Sequence, residues 1–395
     1  MFRNLRIIAA SVALSFIIFH ILLVHEVPPN IQCDQLLKVC LNSNLSQRNG
    51  NSLSSHTSKP PKTFGTTKVS EIRNKVQLFQ KSSEYTPYIS QLRYPEEIRR
   101  NPIVKSKLHI TQLTTTRRCQ KKYDLIILVS SDPTHSNERD VIRKTWGNNS
   151  DTGRVGRPPF NPSWKTVFVV GNHKNRSISE AVSKENILHK DLILGDFEDD
   201  FYNLALKIQV GFEWSIKYCK YEYLLKADDD VFINIANLFL FLSEPSTPKT
   251  ELYAGNIVYT ANPQREGKYA VTEKEYSRPV YPRYASGGGF VLSRDVVERM
   301  IQHFNVVDPF KIDDVYVGMM VLKAGVDVTH NANFEMFQDD SKQCEFKRKE
   351  IVHHRVHDRE CMLKLHEFSK YVETFMKEIQ KKLGHVQINM DTIDI

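Results

Sequence analysis

Short apolar runs of buried-strand length alternate with helical segments from Lys121 onward, and this alternation predicts an α/β domain with a mostly parallel central sheet. Two further observations frame that domain. Residues 7–24 form an uncharged apolar run close to the ~20 residues that span a bilayer core. Between that run and the first strand lies a stretch rich in Ser, Asn, Thr, Gly, Lys and Pro, with almost no apolar periodicity at residues 42–67. The expected organisation is a cytoplasmic tail at residues 1–6, a transmembrane signal-anchor at 7–24, a lumenal stem at 25–120 and a globular domain at 121–395.

The strands are expected at residues 123–130, 165–171, 191–194, 222–227, 252–258 and 289–293, each short, apolar and rich in β-branched or aromatic residues. Arg139, Ile142, Arg143 and Trp146 recur at i, i+3, i+4 and i+7, which places a helix after the first strand. Ser177 with Glu180 has the spacing of a capping box and opens a second helix. Leu365, Phe368, Val372, Phe375, Ile379 and Leu383 mark a packing helix that ends before Gly384.

Charge and cysteine content narrow the setting. The 395 residues carry 54 Lys+Arg against 46 Asp+Glu, a net charge of +8. No Lys/Arg block exceeds three residues, so the surplus does not point to a nucleic-acid partner. A hydrophobic content of 41% is enough for a real core and excludes a disordered or collagen-like chain. Arg3 and Arg6 precede the apolar run, and no small-x-small cleavage site separates it cleanly from His25 and Glu26. This reads as a retained anchor with the rest of the chain lumenal, the alternative being a cleaved signal peptide. Sequons at Asn44, Asn148 and Asn175 agree with a secretory lumen, as do six cysteines. Six cysteines allow 15 pairings, of which Cys33 with Cys40 and Cys344 with Cys361 are the local ones; no zinc spacing is present.

Several clusters could carry chemistry. Asp228, Asp229 and Asp230 follow the apolar strand residues Tyr223, Leu224 and Leu225. Adjacent carboxylates at a strand's carboxyl end repel one another unless a cation or water neutralises them, so a metal site competes with a solvated turn. Asp313 and Asp314 sit among apolar residues, where burial and a like-charged neighbour raise proton affinity; a general base and a helix N-cap are the two readings. Gly287, Gly288 and Gly289 permit close backbone approach, either as a bulge or as a ligand-binding edge. Arg139 and Arg143, one helical turn apart, either face a diphosphate or are solvated helix charges. His353, His354 and His357 cluster near the C-terminus as candidate metal ligands or surface residues. Neither H-E-x-x-H nor G-x-S-x-G occurs.

Taken in order, the segments ERDVIRKTW (138–146), FVVG (168–171), DLILGDFEDDFYNLALK (191–207), KADDDVF (226–232), YPRYASGGGF (281–290) and DDVYVG (313–318) resemble the β-1,3-glycosyltransferases. These include β-1,3-galactosyltransferases and β-1,3-N-acetylglucosaminyltransferases. The resemblance implies a GT-A-type nucleotide-sugar-binding sandwich over residues 121–395, in a single-pass type II protein of the Golgi membrane. It implies a UDP-sugar donor, a glycan acceptor on protein or lipid, and manganese. The implied metal ligands are Asp230, Asp228 and His354, with Asp228 and Asp229 also contacting the nucleotide sugar. Arg139 and Arg143 would line the nucleotide side, Gly287, Gly288 and Gly289 would lie against the donor sugar, and Asp196 and Asn203 would support that site. Asp314, beside Asp313, would be the base of an inverting transfer to an acceptor 3-hydroxyl. Ala205 departs from the family pattern, which often has Thr there. Galactose is the expected donor sugar, with N-acetylglucosamine or N-acetylgalactosamine next. A silent binding or folding factor on the same scaffold is the competing class, and oligomeric state stays open, a homodimer being one form that Cys33 and Cys40 could bridge.

Overall fold

The computed structural model describes residues 118–148 and 162–383. The expected tail, anchor and most of the stem lie outside the described residues, with Cys33, Cys40, Asn44 and the last two residues of the Asn148 sequon. Among the described residues no helix is long and apolar enough to cross a membrane.

Nine of the expected segments appear as elements, several with shifted limits. The strands are β1 (Lys122–Ser130), β2 (Trp164–Asn172), β3 (Leu192–Glu198), β4 (Lys220–Asp228), β5 (Phe232–Ile233), β6 (Tyr253–Val258), β7 (Tyr284–Ser293), β8 (Thr329–His330), β9 (Phe334–Glu335) and β10 (Val352–His353). The helices are α1 (Ser136–Lys144), α2 (Arg176–His189), α3 (Leu204–Tyr218), α4 (Ile235–Ser243), α5 (Arg294–Ile301), α6 (Asp313–Lys323) and α7 (Arg359–Leu383). Seven strands make one sheet in the order β3-β2-β1-β4-β7-β6-β8. The pairs β3/β2, β2/β1, β1/β4 and β6/β8 are parallel, while β7 runs antiparallel to both β4 and β6.

The central strands read as continuous apolar runs because both sheet faces are covered. Ile126, Leu128, Val169 and Leu224 face a core completed by Ile208 and Phe212 of α3, Val296 and Val297 of α5 and Val315 of α6. Their neighbours Leu125, Ile127, Val129 and Leu225 face a second core with Val141 and Ile142 of α1, Leu238 of α4 and Leu365 of α7. That period-two division is what a strand's alternating side chains impose.

Four details differ from the sequence reading. Helix α1 stops before Trp146, whose buried indole instead donates to Val231 O at 3.1 Å. Ser177 does not cap α2; the side chain of Asn175 accepts from Ser177 N at 2.9 Å, and Glu180 turns back to Arg176. In the expected stripe of α7, Leu365 is buried at 1% exposed but Phe368 is 47% exposed, and the side chains of Ile379 and Leu383 lie outside the described ones. Strand β7 begins at Tyr284, so the glycine triplet lies inside it rather than before it.

Two disulfides are present among the described residues. Cys344–Cys361 is one of the two local pairs expected, and Cys119–Cys219 joins the chain before β1 to the entry of β4 across a sequence separation of 100. Closing so long a loop removes much unfolded-state entropy. The double substitution Cys119→Ala, Cys219→Ala should lower the unfolding free energy by about 2–5 kcal/mol, read from urea denaturation; an unchanged midpoint would refute that role.

Candidate active site

The sheet order creates a switch point. Strands β1, β2 and β3 build outward on one side, then β4 returns to the other side of β1. In open α/β sheets ligands bind at the carboxyl ends of strands beside such a reversal. There Asp228 ends β4 and Asp229 and Asp230 follow it, while Ser131 and Asp132 follow β1.

Asp228, Asp230 and His354 can each aim one donor atom so that all three lie within 4.8 Å of one another. His354 directly follows β10 of the second, small sheet, in which β10 pairs with β5 and β9. Asn234 N donates to Ile351 O at 2.9 Å and Val356 N to Asp230 O at 2.7 Å, which fixes the histidine segment against the aspartate segment. His354 Nδ1 lies 3.2 Å from Met336 O; donating there leaves Nε2, 3.6 Å from Asp230 Oδ2, free as a ligand. Two carboxylate oxygens and an imidazole nitrogen are a donor set that fits manganese. His353 is instead wholly buried, its Nδ1 held by Glu350 at 2.9 Å, and His357 Nδ1 stands 3.8 Å from Asp230.

Asp229 turns away from this triad, its Oδ2 lying 3.0 Å from Nδ1 of His135 at the mouth of the β1–α1 connection. That hydrogen bond pushes the His135 imidazole up to about 9 against the opposing effect of burial.

The second acidic pair occupies the first turn of α6. Asp314 accepts from Val315 N at 2.7 Å and from the amide of Gly287. Burial, reinforced by the charge of Asp313, pushes the Asp314 carboxyl up to about 7, more strongly than these hydrogen bonds lower it. The two acidic groups meet at Lys226, which is buried in β4. Its Nζ donates to Asp228 Oδ1 at 2.6 Å and Gly287 O at 2.7 Å, and lies 3.2 Å from Asp313 Oδ2. Burial alone would lower its proton affinity; the flanking Asp228 and Asp313 raise it, so it stays an ammonium. Burial and the neighbouring Asp313 and Asp230 push Asp228 up to about 6 despite Lys226. The sequence reading gave Lys226 no role, although a lysine inside an apolar strand was a signal.

A family model described as galactosyltransferase matches residues 137–332. Human N-acetyllactosaminide β-1,3-N-acetylglucosaminyltransferase 4 is 34% identical over 222 residues, covering 55% of this chain and 57% of that protein. Mouse UDP-GlcNAc:βGal β-1,3-N-acetylglucosaminyltransferase 7 is 31% identical over 57% of each chain. Mouse β-1,3-galactosyltransferase 1 is 29% identical over 60% of this chain and 72% of that one. Together these matches support the β-1,3-glycosyltransferase family for this chain. It spans a little over half the length of the first two of these relatives. Both acidic clusters and the glycine triplet of this chain fall inside the matched span, whereas His354 falls beyond it.

The arginines do not face a diphosphate. Arg139 is fully buried and forks onto Glu185 at 2.9 and 2.7 Å while donating to Ser131 Oγ and Asp132 O. Arg143 grips Asp191 with two hydrogen bonds and Glu185 with a third. Burial would raise the Glu185 carboxyl, but these guanidiniums hold it below the usual range. Two cations are thus matched by two anions, and the network fixes the β1 end rather than a ligand. Lys207 acts likewise from α3, pairing with Asp199 at 2.8 Å and donating to Ser131 O at 2.9 Å. Asp196 and Asn203 make local bonds, to Asn172 and to Glu198 O, and Ala205 is wholly buried in α3.

The glycine triplet makes room for protein. Between β6 and β7 the register jumps from Gly255↔Phe290 to Ile257↔Ala285, so two steps on β6 face five on β7, and 5 − 2 = 3 extra residues bulge out. A Cβ on Gly288 would stand 2.9 Å from both the His354 ring and Met336 Sδ. Gly288→Ala should therefore displace His354 and weaken manganese binding by about tenfold with the circular dichroism spectrum unchanged. Titration calorimetry with the metal alone checks this, and wild-type affinity would show that His354 is not a ligand.

Proposed function

We propose that this chain is an inverting glycosyltransferase that moves a hexosyl unit from a UDP-sugar to the 3-hydroxyl of a glycan acceptor, forming a β-1,3 linkage. One observation carries the reading: a buried carboxyl pushed to about 7, Asp314, is tied through Gly287 and Lys226 to the three-donor cation site. Asp314 takes the proton of the acceptor hydroxyl as that oxygen bonds to the anomeric carbon, and the bond from that carbon to the UDP oxygen breaks with its electron pair leaving on UDP. Asp228, Asp230 and His354 would hold manganese, which when bound would supply positive charge beside the departing diphosphate. Asp313 and Lys226 keep the base helix and the strand end in one register. The intact ligand set and base favour catalysis over a silent folding factor on this scaffold.

Galactose is the donor sugar expected from the motifs, with N-acetylglucosamine and N-acetylgalactosamine as the alternatives; relatives named for N-acetylglucosamine transfer and for galactose transfer support the first two. The apolar run at residues 7–24 and the sequons support a GT-A-type domain held on the lumenal side of the Golgi membrane. Manganese-dependent transfer from UDP-galactose, UDP-N-acetylglucosamine or UDP-N-acetylgalactosamine to acceptors ending in galactose, N-acetylglucosamine, N-acetylgalactosamine or xylose tests the proposal. A folded protein that binds UDP and transfers nothing across this panel would sink it.

Asp314→Asn should lower kcat by about 10²–10⁴-fold without loss of UDP binding. With manganese saturating, wild-type kcat/KM should fall as the pH drops through about 7, because the base must be ionised. The stability effect has the opposite sign. The folded carboxyl is raised above its ordinary 3.8, so its stabilising protonation is complete below that value and lost as pH rises through about 7. Asp314→Asn should thus be at least as heat-stable as wild type at pH 8, and a large loss of melting temperature there would contradict the burial argument.

A further inference from the structure

The connection between β6 and β7, residues 259–283, contains no helix or strand, yet it is firmly packed. Val271 is buried, Arg265 donates to Val271 O at 2.7 Å and to Tyr276 O at 3.1 Å, and Tyr281 N donates to Ala261 O at 2.9 Å. Irregular connections of this length within a compact domain are uncommon and usually serve a function. This one presents an aromatic surface. Tyr269, 44% exposed, meets Phe201 of the short 3-10 turn before α3 with 5.6 Å between ring centroids, and Phe201 meets Tyr202, 66% exposed, at 5.7 Å. Lys268 Nζ stands 5.4 Å from the Phe201 ring and 5.5 Å from the Tyr269 ring.

The surface is continuous with the base. Lys311, three residues before Asp314, lies 5.9 Å from the Tyr202 ring and 3.1 Å from Glu275. The same loop packs Tyr276 and Tyr281 on Phe310, with centroids 6.0 and 6.1 Å away, and the charge of Asp314 reaches Tyr281. Two exposed ring faces, two ammonium groups and a carboxylate therefore lie together beside the helix that carries the base, whereas the metal donors come from β4 and the small sheet. A pyranose has the matching chemistry. One face of it presents C–H groups that stack on an aromatic ring, and its rim presents hydroxyls that bond to ammonium and carboxylate groups.

We infer that Tyr202 and Tyr269, with Lys268, Lys311 and Glu275, form a subsite for an inner sugar of an oligosaccharide acceptor, beyond the residue whose 3-hydroxyl reacts. This rests on the glycosyl-transfer reading above and adds to it where the acceptor chain runs. Oligosaccharides should consequently bind better than monosaccharides with the same terminal sugar.

The full-length chain, saturated with UDP and manganese, is titrated with benzyl monosaccharides of galactose, N-acetylglucosamine, N-acetylgalactosamine and xylose, and with tri- or tetrasaccharides ending in the same sugars. At least one oligosaccharide should bind about fivefold or more tighter than its monosaccharide partner. Tyr202→Ala and Tyr269→Ala should each erase that advantage, Tyr202→Trp should keep it, and the UDP Kd should not move in any variant. No advantage for any oligosaccharide, no saccharide binding at all, or an advantage that survives both alanine substitutions would overturn the inference. Failure of glycosyl transfer is read separately, from the UDP-sugar panel, so the subsite and the reaction can fail independently.

Discussion

The buried ammonium of Lys226 is the contact on which the site depends. It touches Asp228 of the cation triad, Asp313 beside the base, and the carbonyl of Gly287 in the strand between them. One cation thereby joins the end of β4, the bulge of β7 and the first turn of α6. Asp228 and Asp313 contact it directly, and its charge reaches Asp314. Burial, reinforced by the neighbouring like charges, raises the proton affinities of Asp228 and Asp314. A divalent cation held by Asp228, Asp230 and His354 would relieve the charge on the Asp228 side, while Asp314, away from the triad, keeps its affinity for a proton. The same electrostatic field thus divides the labour between cation binding and proton acceptance.

Backbone geometry makes this arrangement accessible. The three extra residues of β7 let the strand pair with β4 through Ala227↔Gly289 and still bring the Gly287 amide to Asp314. Gly288 lets the His354 segment pack directly on the strand. Around this centre, Arg139, Arg143 and Lys207 fasten the end of β1 and its neighbouring elements through matched carboxylates. Trp146 anchors the chain just beyond Asp230. The charged residues near the switch point therefore divide into those facing the cleft and those that hold its walls.

Much of this was legible before the fold was known. The central strands announced themselves because both sheet faces are buried and each carries an apolar run through its middle. Asp228, Asp229 and Asp230 were placed correctly at a strand's carboxyl end, because the change from apolar to acidic occurs within two residues. The cap at Asn175 was missed because Ser177 and Glu180 match a spacing rule that the backbone satisfies two residues earlier. The arginines were misjudged for a deeper reason. Arg139 meets Glu185 across 46 residues, and no local spacing reports that a carboxylate will arrive there.

The sequence by itself determined the α/β architecture, the order of its motifs and the chemical identity of the groups at the site, since hydrophobic period and local composition are properties of neighbours along the chain. Only the tertiary structure decided which histidine reaches the aspartates, that Lys226 binds both acidic clusters, that the arginines are structural, and that Tyr202 and Tyr269 share one surface. Each of these is a pairing between segments distant in sequence. Its geometry follows from the sheet order and the β7 bulge, which arise from packing the whole domain and from no single stretch of it.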